Sequence, residues 1–540
     1  MKTTMTPLPH ELAATNPMNS VQFLPAGSIA TGCGLVGIVC LGLVLRSHAL
    51  GAVHSWFDES FSWRMAQFSF PEIIARSERD VHPPFHFLVL GVWSRLFGPS
   101  LLSLRLSSML FGLGTILGGF FLASAACGSM SLSRRRTAGL VAALLISLSS
   151  LQIHWSQQAR MYTLGTCLTV WSTWMLLRWF QSGGTLRLIG YVLLAGGLAL
   201  QHHYGTFTVF AQLTFALGRS ARRAVAGSWQ NEFLPVVLAG WATFSLWALW
   251  LPSFLLQRSQ VKASYWTHEF RWQDVLNVWS ELFLFGSSIK RSPTISWLLA
   301  ELVLASVLLL LVHRQPGARL VGWLVLIPYG MAVAWSALDE NVFVSRFLIH
   351  AHVCLLIGVG ILIASLPFRG LRLGMTLLVV LGMSVTAYQQ SLKRTRSAEV
   401  PGMPAAVSLL RGAKAEQDLV LVCNPMLYLN LCVYHAGLDN VYAFDPGQGF
   451  PHFQGAPVMK DEEYLRPEDL QKSDQDWVWT LDAENWLGGT WKVHLPAKWQ
   501  LQEEKKIREW YATLVVRSYH REPAFPRSSS VLVEEREHGQ

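Results

Sequence analysis

From about residue 27 to residue 390, long apolar runs alternate with short polar breaks, and then the pattern stops. Eleven segments read as membrane-spanning helices, at 27–45, 101–126, 138–153, 161–177, 185–202, 203–218, 233–256, 295–312, 319–337, 347–366 and 371–390. A hydrocarbon core about 30 Å thick takes roughly 17 to 25 residues of helix, which these runs match. Segment 83–97 (PPFHFLVLGVWSRLF) is also apolar, but it is short and opens on two prolines, so it reads as a juxtamembrane or re-entrant helix. Beyond residue 391 the spacing changes. DLVLVCN (418–424), NVYAFD (440–445), DWVWTL (476–481) and ATLVVRSYH (512–520) read as buried strands, with helical stretches between the first of them. The expected architecture is a mainly α polytopic membrane protein with about eleven transmembrane helices and a C-terminal soluble α/β domain. Its parts are an N-terminal segment 1–26, a membrane domain 27–390 with a first outer loop 46–100, and an α/β domain 391–540.

Charge sets the expected orientation. If 83–97 does not cross, the basic clusters at 134–136, 178 with 187, 219–223, 313–319 and 368–372 all fall on one side, which the positive-inside rule makes cytoplasmic. The N-terminus is then cytoplasmic and the C-terminal domain extracytoplasmic, in a multi-pass protein of the cell (inner) membrane. The 540-residue chain is 51% hydrophobic and 14% charged, and topology accounts for its net charge of +9, so no nucleic acid partner is implied. Seven cysteines lie scattered without a CxxC pair or zinc spacing, which excludes a disulfide framework or zinc finger of recognisable form. The first run is longer than a signal-peptide core and reads as a retained helix.

Unusual polar residues gather on the outer side. HSWFDESFSWR (54–64) sets the adjacent carboxylates Asp58 and Glu59 among aromatics; RDVHPPFHF (79–87) carries Asp80, His82 and His86 around a Pro-Pro turn; HWSQQARMYTLG (154–165) carries Arg160 and Tyr162; QHHY (201–204) places His202 and His203 at a helix break; and VSRFLIHAH (344–352) carries Arg346. Adjacent carboxylates at a helix start suit a base beside a group that binds a cation or hydroxyl, and equally a solvated or N-capping pair. Glu301 inside an apolar run reads as a structural partner. Asp474 and Asp476 have metal-chelating spacing but no nucleotide-binding glycine loop. Trp477, Trp479, Trp486, Trp491 and Trp499 suit sugar stacking or core packing alike.

HSWFDESFSWR, DVHPPFHFLVLGVWSRLFGPSLLSLRLSS, SQQARMYTL and SRFLIHA, in that order, resemble the lipid-phosphate-sugar-dependent membrane glycosyltransferases of the GT-C type. The nearest group is the bacterial relatives of protein O-mannosyltransferases and of the lipid A aminoarabinose transferase. The resemblance spans roughly residues 25–390 and is strongest over 54–180. Gln158 departs from it, standing where such proteins commonly carry Glu.

The resemblance implies transfer of a sugar, with inversion, from a polyprenyl-phosphate donor to a lipid, glycan or protein acceptor on the extracytoplasmic face. Asp58 would be the base, with Glu59 as its catalytic neighbour. Arg160, Arg346 and His82 would meet the lipid phosphate, since guanidinium binds phosphate oxygens bidentately. Asp80, Tyr162, His202 and His203 would complete the substrate-binding set, and Asp58 with Glu59 would hold a divalent cation if one is used. The C-terminal domain, which carries none of these motifs, would serve the acceptor and be dispensable for donor chemistry. The rival from another class is a carrier or flippase for a lipid-linked substrate.

Overall fold

The computed structural model describes residues 26–223, 225, 232–264, 266–286, 292–435, 437–473 and 475–521. The N-terminal segment before Ala26 and Asp474 of the D-x-D pair therefore lie outside the described residues.

Helix α1 (Ala26–Ser47) is followed by three short helices in the loop before the next long one: α2 (Phe57–Met65), α3 (Phe70–Arg79) and α4 (Phe85–Phe97). Ser69 and Glu72 close a capping box at the start of α3. At α4 the N-cap is Pro84, which offers no side-chain cap. The bundle continues with α5 (Leu101–Ala126), α6 (Leu132–Leu148), α7 (Ser150–Ser156), α8 (Tyr162–Ser182), α9 (Thr185–Gln201), α10 (His203–Arg223), α11 (Leu234–Ala248), α12 (Leu251–Ala263), α13 (Trp272–Leu284), α14 (Pro293–Leu311), α15 (Pro316–Leu338), α16 (Ile349–Ser365) and α17 (Arg369–Ala398). A 3₁₀ turn, Ser345–Leu348, leads into α16.

All eleven expected spans are helical. Among the described residues six helices are long and apolar enough to cross a membrane, or eight if α6 with α7, bent by 63°, and α11 with α12, bent by 59°, each count as one span. The first bend falls at Ser149, whose extended backbone ends α6 and whose hydroxyl caps α7. The other three segments are α8, α9 and α10. Helix α9 is short, and α8 and α10 turn polar faces inward, where Gln212 donates to Ser172 (2.9 Å) and Thr173 (2.8 Å). That polarity lowers the apparent apolarity of helices whose hydrogen bonds are satisfied within the bundle.

Helix α16 is apolar all round and enclosed along most of its length, as a central helix must be. Gly360 lets it approach α6 closely, because a Cβ there would lie 2.9 Å from the Ala142 nitrogen.

Helix α17 runs past the expected boundary at 390 into α18 (Gly402–Ala413) and the C-terminal domain, which holds α19 (Pro425–Cys432), α20 (Pro467–Lys472) and one mixed sheet. Its strands are β1 (Leu419–Val422), β2 (Val441–Phe444), β3 (Tyr464–Leu465), β4 (Trp477–Trp486), β5 (Gly489–Trp491), β6 (Gln500–Arg508) and β7 (Thr513–His520), in the order β3-β2-β1-β4-β7-β6 with β5 hairpinned onto β4. The β3-β2-β1-β4 half is parallel and the rest antiparallel, with Leu421 opposite both Tyr442 and Thr480. Asn424, just after β1, caps α19 through its side chain. One apolar core joins the bundle to this domain, running from Leu145 and Leu356 through Phe61 and Phe87 to Met403 and Leu427.

Candidate active site

Helix α2 starts after Trp56, whose extended backbone places Asp58 and Glu59 in the first turn, at the positive end of the helix. The two carboxylates then part company. Glu59 is fully buried. Arg105 of α5 donates Nε to its Oε1 (2.8 Å) and Nη2 to its Oε2 (2.7 Å), and the Ala159 N–H donates to Oε1 (2.9 Å). Arg105 also donates to the Leu50 and Val53 carbonyls at 2.8 and 2.7 Å, so one guanidinium ties together the end of α1, α2 and α5.

Asp58 keeps part of its side chain, 17%, open to solvent. Its Oδ2 lies 3.7 Å from Arg160 Nε, an ion pair too long for a hydrogen bond. Arg160 is held from below, donating Nη1 to the Asp58 carbonyl and to Ser62 Oγ, both at 3.1 Å, while its buried Nε makes no hydrogen bond.

The Pro-Pro turn brings a second acid to this point. Asp80, almost fully buried, lies 3.0 Å from His82 Nδ1. Burial alone would raise its pKa, but the His82 ring beside it, by charge and hydrogen bond, and Arg160 further off, hold the carboxyl below its usual range. The ring of His82 sits 5.3 Å from that of His202, which is 6.1 Å from Tyr162 and 4.8 Å from Phe347. The Tyr162 hydroxyl lies within the influence of both Arg160 and Arg346. Arg346 packs its guanidinium on Phe347 and Trp266, 5.5 and 4.8 Å from the ring centroids. Asp58, Asp80, His82, Arg160, Tyr162, His202 and Arg346 thus form one neighbourhood.

His203 sits one step outward. Its Nε2 pairs with Gln257 Oε1 (3.0 Å), and Gln257 donates to the Ser77 carbonyl (2.7 Å) and the His82 carbonyl (3.2 Å). His203 and Gln257 also line a cavity of about 390 Å³ between α9, α10, α11, α12 and α15, walled by Phe207, Phe244, Trp247 and Trp335. At its rim Arg258 and Lys262 meet Asp339 at 2.8 and 3.0 Å. An apolar groove with a charged mouth therefore adjoins the His82 turn.

The donor set does not fit a divalent cation. Among the described residues no three His, Cys, Asp or Glu side chains are grouped to hold a metal ion. Glu59 spends its oxygens on Arg105 and Ala159, Asp80 faces His82, and Asp58 faces a guanidinium. Of the pair expected to share a cation, Glu59 has both oxygens engaged by Arg105 and Ala159, and Asp58 is the more open carboxylate.

The C-terminal domain is also built into this region. Helix α19 packs on α2. Asn430 accepts from Ser55 Oγ (3.2 Å) and from Ser60 Oγ, and donates to Tyr511 OH (2.8 Å). Ser55 N–H donates to Tyr434 OH (2.7 Å). Glu509 pairs with His54 (3.3 Å) while accepting from the Met403 N–H (2.9 Å), and Arg64 pairs with Glu463. His452, from the turn before β3, lies close enough for the Asp80 charge to act on its ring, although burial lowers its pKa overall. These contacts are at odds with a domain dispensable for the chemistry at α2. Sequence reasoning missed them, and it missed Arg105 as a partner of Glu59 although it lies within a motif quoted above.

The fold so assembled, a helical bundle with three short helices between its first two long ones and an appended α/β domain, recurs in solved structures. ArnT from Cupriavidus metallidurans, bound to undecaprenyl phosphate, is similar at 14% identity and a TM-score of 0.53, covering 90% of this chain and 98% of that one; its apo state matches equally well. An Archaeoglobus fulgidus oligosaccharyltransferase in complex with Zn and sulfate is 12% identical, with a TM-score of 0.49, covering 83% of this chain and 67% of that one. No protein-family model and no curated protein sequence matches the chain.

Proposed function

We propose that the protein is a membrane glycosyltransferase that moves a sugar from a polyprenyl-phosphate donor to a lipid, glycan or protein acceptor at the extracytoplasmic face, with inversion. The observation that carries this reading is the partly open Asp58 carboxylate against Arg160, beside a histidine-rich turn that Gln257 links to an apolar groove. ArnT, whose fold this chain shares, was solved with undecaprenyl phosphate, a lipid of the proposed donor type.

In the proposed reaction Asp58 takes the proton of the acceptor hydroxyl as its oxygen attacks the anomeric carbon. The bond from that carbon to the phosphate oxygen breaks, and the electron pair leaves with the lipid phosphate. Arg160 and His82, with Arg346 behind Phe347, supply positive charge where the leaving group gains negative charge. Glu59 holds α2 through Arg105 and does not itself react. The groove beside His203 takes the first isoprene units. A carrier or flippase remains the other class, but the polar residues gather at one end of the bundle, which favours chemistry at an interface over passage through a midplane.

The test uses the purified full chain with polyprenyl-phosphate sugars extracted from envelope membranes, following release of free polyprenyl phosphate with and without envelope acceptors. Release by the wild type, reduced about 100- to 10,000-fold in Asp58→Asn, is expected. Movement of the intact lipid-linked sugar across vesicles, without cleavage, would establish the carrier instead.

A further inference from the structure

His86 is the second residue of α4 and only 2% exposed, yet neither ring nitrogen has a hydrogen-bond partner. An unpaired buried imidazole costs free energy that an apolar side chain of similar size would avoid. Its surroundings give that cost a use. The backbone bonds of α4 begin with Leu88 N–H to the Pro84 carbonyl (2.9 Å), so the N–H groups of Phe85, His86 and Phe87 precede the first of them. Pro83 and Pro84 are buried, and Pro84 brings no capping side chain to that end. Arg160 and His82 both lie near enough to act electrostatically on the His86 ring. The unpaired imidazole lies in the first turn of a helix, at its positive end, within electrostatic reach of a guanidinium, and the shared preference of these groups is for an anion with several acceptor oxygens.

We propose that His86 is a further substrate-contacting residue, donating a ring N–H to an oxygen of the polyprenyl phosphate. The proposal rests on the transferase reading and deepens it. Burial first, and then the neighbouring Arg160 and His82, favour the uncharged ring, which presents one N–H and needs no proton transfer. Its hydrogen bond strengthens as the sugar–oxygen bond breaks and negative charge collects on the phosphate. The proton balance of the reaction stays with Asp58.

Binding of undecaprenyl phosphate to the purified full chain, together with thermal unfolding, separates the possibilities. His86→Leu should bind the lipid phosphate at least tenfold more weakly while melting at or above the wild-type temperature, because it removes an unsatisfied polar group. His86→Gln, which restores an N–H donor, should recover part of the affinity. Failure of the wild type to bind undecaprenyl phosphate would overturn the transferase reading itself. Wild-type binding matched within twofold by His86→Leu overturns only the role of His86, as does a His86→Leu protein that melts well below the wild type, since that assigns the ring to packing.

Discussion

The carboxylate of Glu59 and the guanidinium of Arg105 meet through two hydrogen bonds of 2.8 and 2.7 Å, with both side chains almost wholly out of solvent. One residue earlier Asp58 faces a cation at 3.7 Å and keeps an open edge. Breaking a buried pair by removing one charge leaves the other uncompensated, commonly at about 3–5 kcal/mol. Glu59→Gln is therefore expected to lower the melting temperature and folded yield sharply, whereas Asp58→Asn changes them little. Equal melting temperatures for Glu59→Gln and wild type, measured in the same detergent, would deny Glu59 its structural role.

The lowered pKa of Asp80 has a signed consequence. A carboxyl depressed on folding contributes stability that is present above its unfolded value, about 3.9, and is lost as pH falls through the lower folded value. His82→Gln removes the main depressing influence and leaves the burial that raises the pKa, so Asp80 should protonate at a higher pH. The acid limb of the stability profile, followed by thermal unfolding against pH, should shift upward in the variant. An unmoved limb would mean that His82 does not hold Asp80 ionised.

Asn430 bonds to Ser60, on the helix that presents Asp58, and to Tyr511 at the start of the final hairpin strand's approach. Asn430→Ala leaves buried hydroxyls unpaired, at a cost of about 1–3 kcal/mol. Its expected signature is a fall in kcat with little change in KM for the lipid donor, because α2 loses a brace rather than a binding contact. A chain ending near residue 391 should lose even slow donor hydrolysis. Retained hydrolysis by that truncated chain, folded by size-exclusion and melting criteria, would restore an independent membrane domain.

Orientation follows from charge and is tested separately. In a background without native cysteines, Cys at Glu462, exposed in the C-terminal domain, should react with an impermeant reagent in intact cells, and Cys at Ser133, exposed beside the arginine cluster at the start of α6, should react only after lysis. The reverse pattern would move the site to the cytoplasm.

The membrane helices were legible because apolar runs of sufficient length have few alternatives in lipid. Strands β1, β4 and β7 were legible because they are buried over most of their length and carry β-branched and aromatic runs, and β2, VYAF, because of its apolar composition, though only its second half is fully buried. Strand β6, QLQEEKKIR, was not, since it is an edge strand exposed along nearly its whole length and carries no apolar signal. Asp58 and Arg160 could be picked from motifs, but the fate of Glu59 could not. Its partners stand 46 residues away in Arg105 and 100 away in Ala159, and no local pattern encodes such a meeting. The brace at Asn430 is 370 residues from Ser60 and lies in a domain without any chemical motif.

That last separation has a meaning in time. Helix α2 leaves the ribosome early, while Asn430, Glu509 and Tyr511 are among the last of the described residues to be made. At about 5–20 residues per second, the helix waits tens of seconds for its supports. During that interval the nascent bundle carries Asp58 on an unbraced segment. Synthesis order therefore means that α2 gains its braces only once the closing strands have been made and docked.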